Sequence, residues 1–297
     1  MRAAESLRAL LAGPRPDYLL EAHSALAGLV AEEAGFPGVW ASSLGLSAAA
    51  GCRDASELTM TQAFDALEAM SDRLSIPVLF DGDTGYGTFN QFQRLVRGLE
   101  RRAIAGVCIE DQAFPKVNSL LPLARSLVPV GELCGKLRAG RDAARAGLVI
   151  VARTEAFIAG LGLGEALERA HAYAEAGADA VLVHSRAASV DEVAAFARAW
   201  DRRVPLVCVP TTYGATRPET FAELGVSIVI WANHLVRASL AAMREVARTL
   251  RATGSAEAVE DRLAPLSDLF ALQDVAGLER AEKRYGAPLR RDPDEPG

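Results

Sequence analysis

Residues 81–87 read DGDTGYG and residues 110–112 read EDQ. Asp81, Asp83, Glu110 and Asp111 are hard oxygen donors, the chemistry suited to Mg²⁺, which keeps several waters and is completed by a substrate oxyanion. Without a cation, so many carboxylates would repel one another and titrate at raised pH. Taken singly, each is equally a helix cap, and the glycines of DGDTGYG equally make a turn. Arg153 and His184 carry the complementary chemistry, a planar guanidinium fork and a further donor for carboxylate or phosphoryl oxygens. The alternative for Arg153 is an ion pair with Glu155 or Asp111. The stretch EDQAFPKVNSL brings Pro115, Lys116, Asn118 and Ser119 into one polar excursion, which either closes over a ligand or simply connects two elements.

Groups so far apart in sequence need a scaffold. Eight short apolar runs recur: 18–22, 38–42, 77–81, 106–110, 148–152, 180–184, 205–209 and 226–230. Between them lie segments with apolar residues at three- and four-residue spacing, such as TQAFDALEAMSDRL and FQRLVRGLERRA. Strands that are apolar throughout and alternate with helices are parallel and buried on both faces, so the pattern predicts an α/β fold, a (β/α)₈ TIM-type barrel. A doubly wound sheet is the rival, but EAHSALAGLV after the first strand has no G-x-G-x-x-G.

Barrel sites lie where strands end. Polar candidates follow every run: His23 and Ser24, Trp40 and Ser42, Asp81 and Asp83, Glu110 and Asp111. The later four runs are followed by Arg153 and Glu155, His184 and Ser185, Thr211 and Thr212, and Asn233 and His234. Ala-Gly pairs in EEAG, AIAG and AEAG fit left-handed C-caps before the next strand. The expectation is one domain over 1–286, including helices after the last strand, and a solvated, flexible tail over 287–297.

The chain has 297 residues, half of them apolar, and a formal charge of −6. That balance argues against a nucleic-acid surface, which needs clustered Lys and Arg. Cys52, Cys108, Cys134 and Cys208 are too scattered for a zinc site or disulfide framework, and Cys108 and Cys208 read as core thiols. MRAAESLRALLAG is too short to span a membrane and lacks a signal-peptide pattern, so the expected setting is cytoplasmic.

EAHSAL, AGFPGVWASSLGLSAAAGCRD, DGDTGYG, GVCIEDQAFPKVNSL, VARTEAFIAG, AGADAVLVHS, VPT and VIWANHLVRAS, taken in order over residues 16–286, resemble the isocitrate lyase and phosphoenolpyruvate mutase superfamily. The resemblance implies a barrel whose eighth helix is exchanged between subunits of a dimer-of-dimers tetramer. It also implies Mg²⁺ and an α-keto acid or its enolate at the rim. On matching positions, Asp83 would ligate the metal directly, with Asp81, Glu110 and Asp54 holding its waters. Trp40, Ser42, Ser43 and Leu44 would cradle the pyruvyl group, and Arg153, His184 and Asn118 the phosphoryl group. Lys116 to Leu120, with Ser119, would form the closing loop, and Asp54 would be a nucleophile or an orienting group.

Lyases of the superfamily carry Lys-Lys-Cys-Gly-His in that loop, whereas this chain has PKVNSL. Lys116, Asn118, Ser119 and Leu120 match the mutase pattern, and a related hydrolase has Thr in place of Asn118. The implied reaction interconverts phosphoenolpyruvate and 3-phosphonopyruvate in phosphonate biosynthesis. Phosphonopyruvate hydrolysis is the alternative, followed by a carbon–carbon lyase or a non-catalytic barrel. Ser43 and Gln112 depart from the pattern, standing where Gly and Lys are usual.

Overall fold

The computed structural model describes residues 2–286. Eight parallel strands close into a barrel in sequence order: β1 (Asp17–Ala22), β2 (Val39–Ala41), β3 (Val78–Asp81), β4 (Gly106–Glu110), β5 (Val149–Thr154), β6 (Ala180–Val183), β7 (Leu206–Cys208) and β8 (Val226–Trp231). Closure is made by β8 on β1, with Tyr18 level with Val229. Each predicted run contains a strand, and the barrel, rather than the open sheet, is the fold.

Alternation along the strands explains why both faces are apolar. Leu79, Cys108, Val151, Leu182 and Val207 pack in one cluster with Leu7 and Leu11 of the helix Arg2–Leu11. Their neighbours Phe80, Val107, Ile109 and Ile150 pack in another, with Phe92 and Leu95 of the surrounding helix Phe89–Arg101. Successive residues of a strand point to opposite faces, so one set fills the barrel and the other binds the helical layer. Burying each such side chain is worth about 1.5–3 kcal/mol. The helix Phe89–Arg101 starts at a capping box in which Thr88 and Gln91 exchange hydrogen bonds, and it buries Phe92, Leu95, Val96 and Leu99 at helical spacing.

Two of the Ala-Gly pairs behave as expected, with Gly35 and Gly177 in the left-handed region at φ of 86° and 100°. The third does not. Ala103 takes the left-handed turn at φ 54°, while Gly106 lies inside β4, where a Cβ would stand 2.7 Å from Leu7 Cδ2. That glycine is selected by close packing, not by a turn.

The chain forms two compact units, Met1–Leu240 and Ala241–Gly297, with the boundary inside the helix His234–Thr253. In the second, the helices Leu266–Leu272 and Val275–Tyr285 have no buried residue and leave Leu266, Phe270, Leu278 and Tyr285 exposed. The predicted tail over 287–297 lies outside the described residues. Among the described residues no helix is long and apolar enough to cross a membrane.

Candidate active site

A cavity of about 60 Å³ opens at the ends of the strands. Its lining takes one polar residue from each of several predicted pairs: Ser42, Asp81, Glu110, Arg153, His184, Thr211 and Asn233, together with Trp40. Several other members of the pairs turn away. Ser24 caps the helix Ala25–Glu33, and Ser185 donates to Glu192 Oε2 at 2.5 Å. Asp111 accepts from the Glu155 backbone N–H at 2.8 Å and from Tyr173 Oη at 2.8 Å. The expected acidic cluster therefore excludes Asp111, because the residue after Glu110 leaves on the opposite side. Asp54, Ser43, Leu44, Lys116, Asn118 and Ser119 also line the cavity, joined by Val117, Leu120, Val209 and Ala232. Val117 and Leu120 belong to the expected closing loop, whereas Val209 and Ala232 carry no chemical signature in the sequence. Trp231, the last residue of β8, stacks on Tyr18.

The turn and cation readings of DGDTGYG are compatible. Gly85 and Gly87 hold φ of 89° and 137°, and Asp83 itself sits at φ 52° with its carbonyl accepting from the Glu110 N–H at 2.8 Å. A Cβ at Gly82 would lie 2.7 Å from Val107 Cγ2, so the turn presses directly onto β4. This joins Asp81, Asp83 and Glu110 across two neighbouring strands.

Lys116 enters this group from the loop. Its Nζ lies 2.7 Å from Asp54 Oδ1 and 2.5 Å from Asp83 Oδ1, and it donates to Ser43 Oγ at 2.9 Å. Ser43 in turn donates to Asp81 Oδ2 at 3.0 Å. Asn118 Nδ2 donates to Asp54 Oδ2 at 2.5 Å. Burial opposes charge on Asp54, yet Lys116 and the Asn118 amide hold its carboxyl below the ordinary range. Burial also opposes charge on Lys116, but Asp83 and Asp54 keep its ammonium well above the usual lysine value. For Asp83 burial prevails and its carboxyl is raised. Glu110 is raised well above its ordinary value by burial, and the neighbouring Glu155 and Asp81 charges add to this.

The other side of the cavity is built on β5 and β6. Arg153 Nε pairs with Glu155 Oε1 and lies 3.3 Å from Glu110 Oε2. His184 Nδ1 is 2.8 Å from both Glu155 Oε1 and Arg153 Nη2. Ser119 joins the group, donating to Glu155 Oε2 at 2.6 Å and accepting from Arg153 at 2.9 Å. The ion-pair reading of Arg153 holds, since it is paired with Glu155, and its position in the cavity lining is compatible with an anion pocket. Burial, with Arg153 nearby, lowers the pKa of His184 and so disfavours its charged form. Cys108 and Cys208 are buried thiols pushed up by burial, as core residues should be.

Mg²⁺ can be tested against this donor set. Asp83 Oδ1 is buried beside the Lys116 ammonium, 2.5 Å away, and its carboxyl is raised by burial all the same. An oxygen so placed, in a group of carboxylates short of positive charge, suits a hard cation. Among the described residues no three His, Cys, Asp or Glu side chains gather to grip an ion directly. The donors present are carboxylate oxygens, which suit Mg²⁺ with its retained waters better than structural Zn²⁺, held mostly by Cys and His.

The profile of the phosphoenolpyruvate phosphomutase family matches residues 7–251. The phosphoenolpyruvate phosphomutase of Tetrahymena pyriformis is 46% identical over 286 residues, spanning 96% of this chain and 95% of that protein. The crystal structure of phosphoenolpyruvate phosphomutase from Streptomyces platensis subsp. rosaceus superposes with a TM-score of 0.93 at 41% identity, over 96% of this chain and all of that one. A phosphonopyruvate hydrolase in complex with oxalate and Mg²⁺ superposes at 0.90 and 38% identity, over 96% and 99% of the two chains. A shared barrel, a family profile over most of the length and near full-length identity to a named member agree: the chain belongs to the phosphoenolpyruvate phosphomutase family.

Proposed function

We propose that the protein is a Mg²⁺-dependent phosphoenolpyruvate phosphonomutase, an isomerase that interconverts phosphoenolpyruvate and 3-phosphonopyruvate. In the forward direction the bond from phosphorus to the enol oxygen breaks and a bond from phosphorus to C3 of the same pyruvyl skeleton forms. The observation that carries this reading is the loop bearing Lys116, Asn118 and Ser119, which engages the acidic side through Asp54 and the basic side through Glu155 and Arg153. A transferring phosphoryl group needs that combination of positioning, positive charge and dryness. The loop has no cysteine to serve lyase chemistry.

Asp83, with Asp81 and Glu110, would hold Mg²⁺, as the hydrolase relative's complex with Mg²⁺ and oxalate supports. The ion would supply positive charge to the oxygens of the pyruvyl group. Trp40, Ser42, Ser43 and Leu44 would bound the pyruvyl portion. Arg153, His184 and Asn118 would donate to the phosphoryl oxygens, and ionised Asp54 would orient Lys116 and Asn118. Ser119 would tie the closed loop to Arg153. Water excluded by that loop is water that cannot divert the phosphoryl group to phosphate.

The partner is a small molecule, and the acidic chain suits neither nucleic acid nor an anionic membrane surface. The exposed apolar residues of the C-terminal unit support burial against further copies, as in a tetramer of helix-swapped dimers in which residues 1–286 unfold as one domain. Light scattering of the purified protein should give four copies, and a stable monomer would remove that part. Four free cysteines accord with a cytoplasmic setting, and the P–C product accords with a place in phosphonate synthesis.

The test is ³¹P NMR with phosphonopyruvate and Mg²⁺. A phosphoenolpyruvate signal that disappears on chelation is expected, whereas inorganic phosphate alone would point to a hydrolase and sink the reading.

A further inference from the structure

Gln112 is 2% exposed and does not line the cavity, yet its side chain touches both the cavity wall and the loop that covers it. Its Nε2 donates to Glu110 Oε1 at 3.0 Å, and its Oε1 accepts from the Val117 backbone N–H at 3.2 Å. The base of the loop is clipped beside it. Gln112 bridges to Leu127, the Ala113 N–H donates to the Ser126 carbonyl, and the Val128 N–H donates to the Asp111 carbonyl. The segment 115–120 has other anchors: Lys116 to Ser43, the Lys116 N–H to Ser56 Oγ, Asn118 to Asp54 and Ser119 to Glu155. Gln112 alone among these joins the loop backbone to Glu110.

We propose that Gln112 is a positioning residue that couples the Glu110 carboxylate to closure of the 115–120 loop. Resting on the proposed reaction, it thereby sets how far water is kept from the transferring phosphoryl group. The chemistry is specific to an amide, which offers donor and acceptor together. Lysine donates only and would keep Glu110 while losing the Val117 N–H. Glutamate accepts only, keeping Val117 and placing like charge beside Glu110. Methionine preserves the volume and keeps neither bond.

Hydrogen exchange at single-amide resolution on the intact protein, with the ³¹P assay run on the same samples, tests this. Gln112→Met should exchange the Val117 amide roughly fivefold faster than wild type, the loss of about one net hydrogen bond, and should raise the share of inorganic phosphate. Gln112→Glu, which retains the acceptor, should keep the slow exchange at Val117. Wild-type exchange in Gln112→Met, or equally fast exchange in both variants, would overturn the role of Gln112. If wild-type protein yields phosphate alone, the reaction falls, while the exchange rates still decide the coupling.

Discussion

Both sides of the cavity bury carboxylates, and they resolve the cost of burial in opposite ways. At the ends of β3 and β4, burial raises Asp83 and Glu110. At the end of β5, burial acts equally on Glu155, but Arg153, His184 and Ser119 outweigh it and hold that carboxyl far below the ordinary range. The β5–β6 side is thus balanced by the chain's own groups, whereas the β3–β4 side depends on charge brought to it. Lys116 brings some when the loop is seated, and the Asp83 carboxyl stays raised even beside it. On the proposed reading, a site divided in this way would hold the anion with groups already balanced and assemble its metal-binding side around what arrives.

The largest break in the comparison is on the balanced side. Arg153→Met removes the guanidinium that serves both Glu155 and the proposed phosphoryl group. Turnover in the ³¹P assay should fall roughly 10²–10³-fold, the scale for losing one preorganised donor at developing charge. A variant within threefold of wild type would show that Arg153 only pairs with Glu155.

Glu155→Gln tests the balance itself. Breaking a buried pair costs about 3–5 kcal/mol, read as a lower midpoint of unfolding at neutral pH. The sign of the pH dependence follows from the depressed carboxyl. Its stabilisation is present above the ordinary carboxylate range, about 4.3 for glutamate, and is lost as pH falls toward the folded-state value. Wild type should therefore lose stability on acidification through that window, and Glu155→Gln should lose correspondingly less. Parallel curves for the two proteins would mean Glu155 is not the group responsible.

The dependent side is sharpened by adding the ion. Mg²⁺ at about 100 times its dissociation constant should stabilise wild-type protein by about 2.7 kcal/mol, seen as a rise in the unfolding midpoint. In Asp83→Asn the rise should vanish. An undiminished shift in that variant would place the ion elsewhere.

How much of this was legible before the fold was known depends on the range of the interaction. All eight strands were visible because a barrel strand is apolar on both faces and leaves a local signature. The strand-end rule found Asp81, Glu110, Arg153 and His184, but gave no means to tell Glu110, which faces the cavity, from Asp111, which faces Tyr173 and Arg169. Contacts made by the loop were legible only as resemblance. Lys116 meets Ser43 across 73 positions and Asn118 meets Asp54 across 64, and no periodicity reports such pairs. The boundary at Leu240 is likewise silent, since it falls within one continuous helix.

The smallest expected effect lies where the loop reaches the dependent side. Asn118 uses both ends of its amide: Nδ2 donates to Asp54 Oδ2 at 2.5 Å, and Oδ1 accepts from the Leu120 N–H at 3.0 Å. The first bond fixes the loop to an ionised carboxylate, and the second shapes the turn that delivers Ser119 to Arg153. Threonine offers one shorter oxygen and cannot span both partners. Asn118→Thr should therefore fold normally, lose about 1 kcal/mol of loop anchoring and slow isomerisation less than tenfold. Its product mixture should shift toward pyruvate and phosphate, because a loop held at one end admits water without dismantling Arg153 or Asp83. If the variant releases no more phosphate than wild type, dryness is maintained by the remaining anchors, and the two sides of the cavity are joined by Lys116 and Ser119 alone.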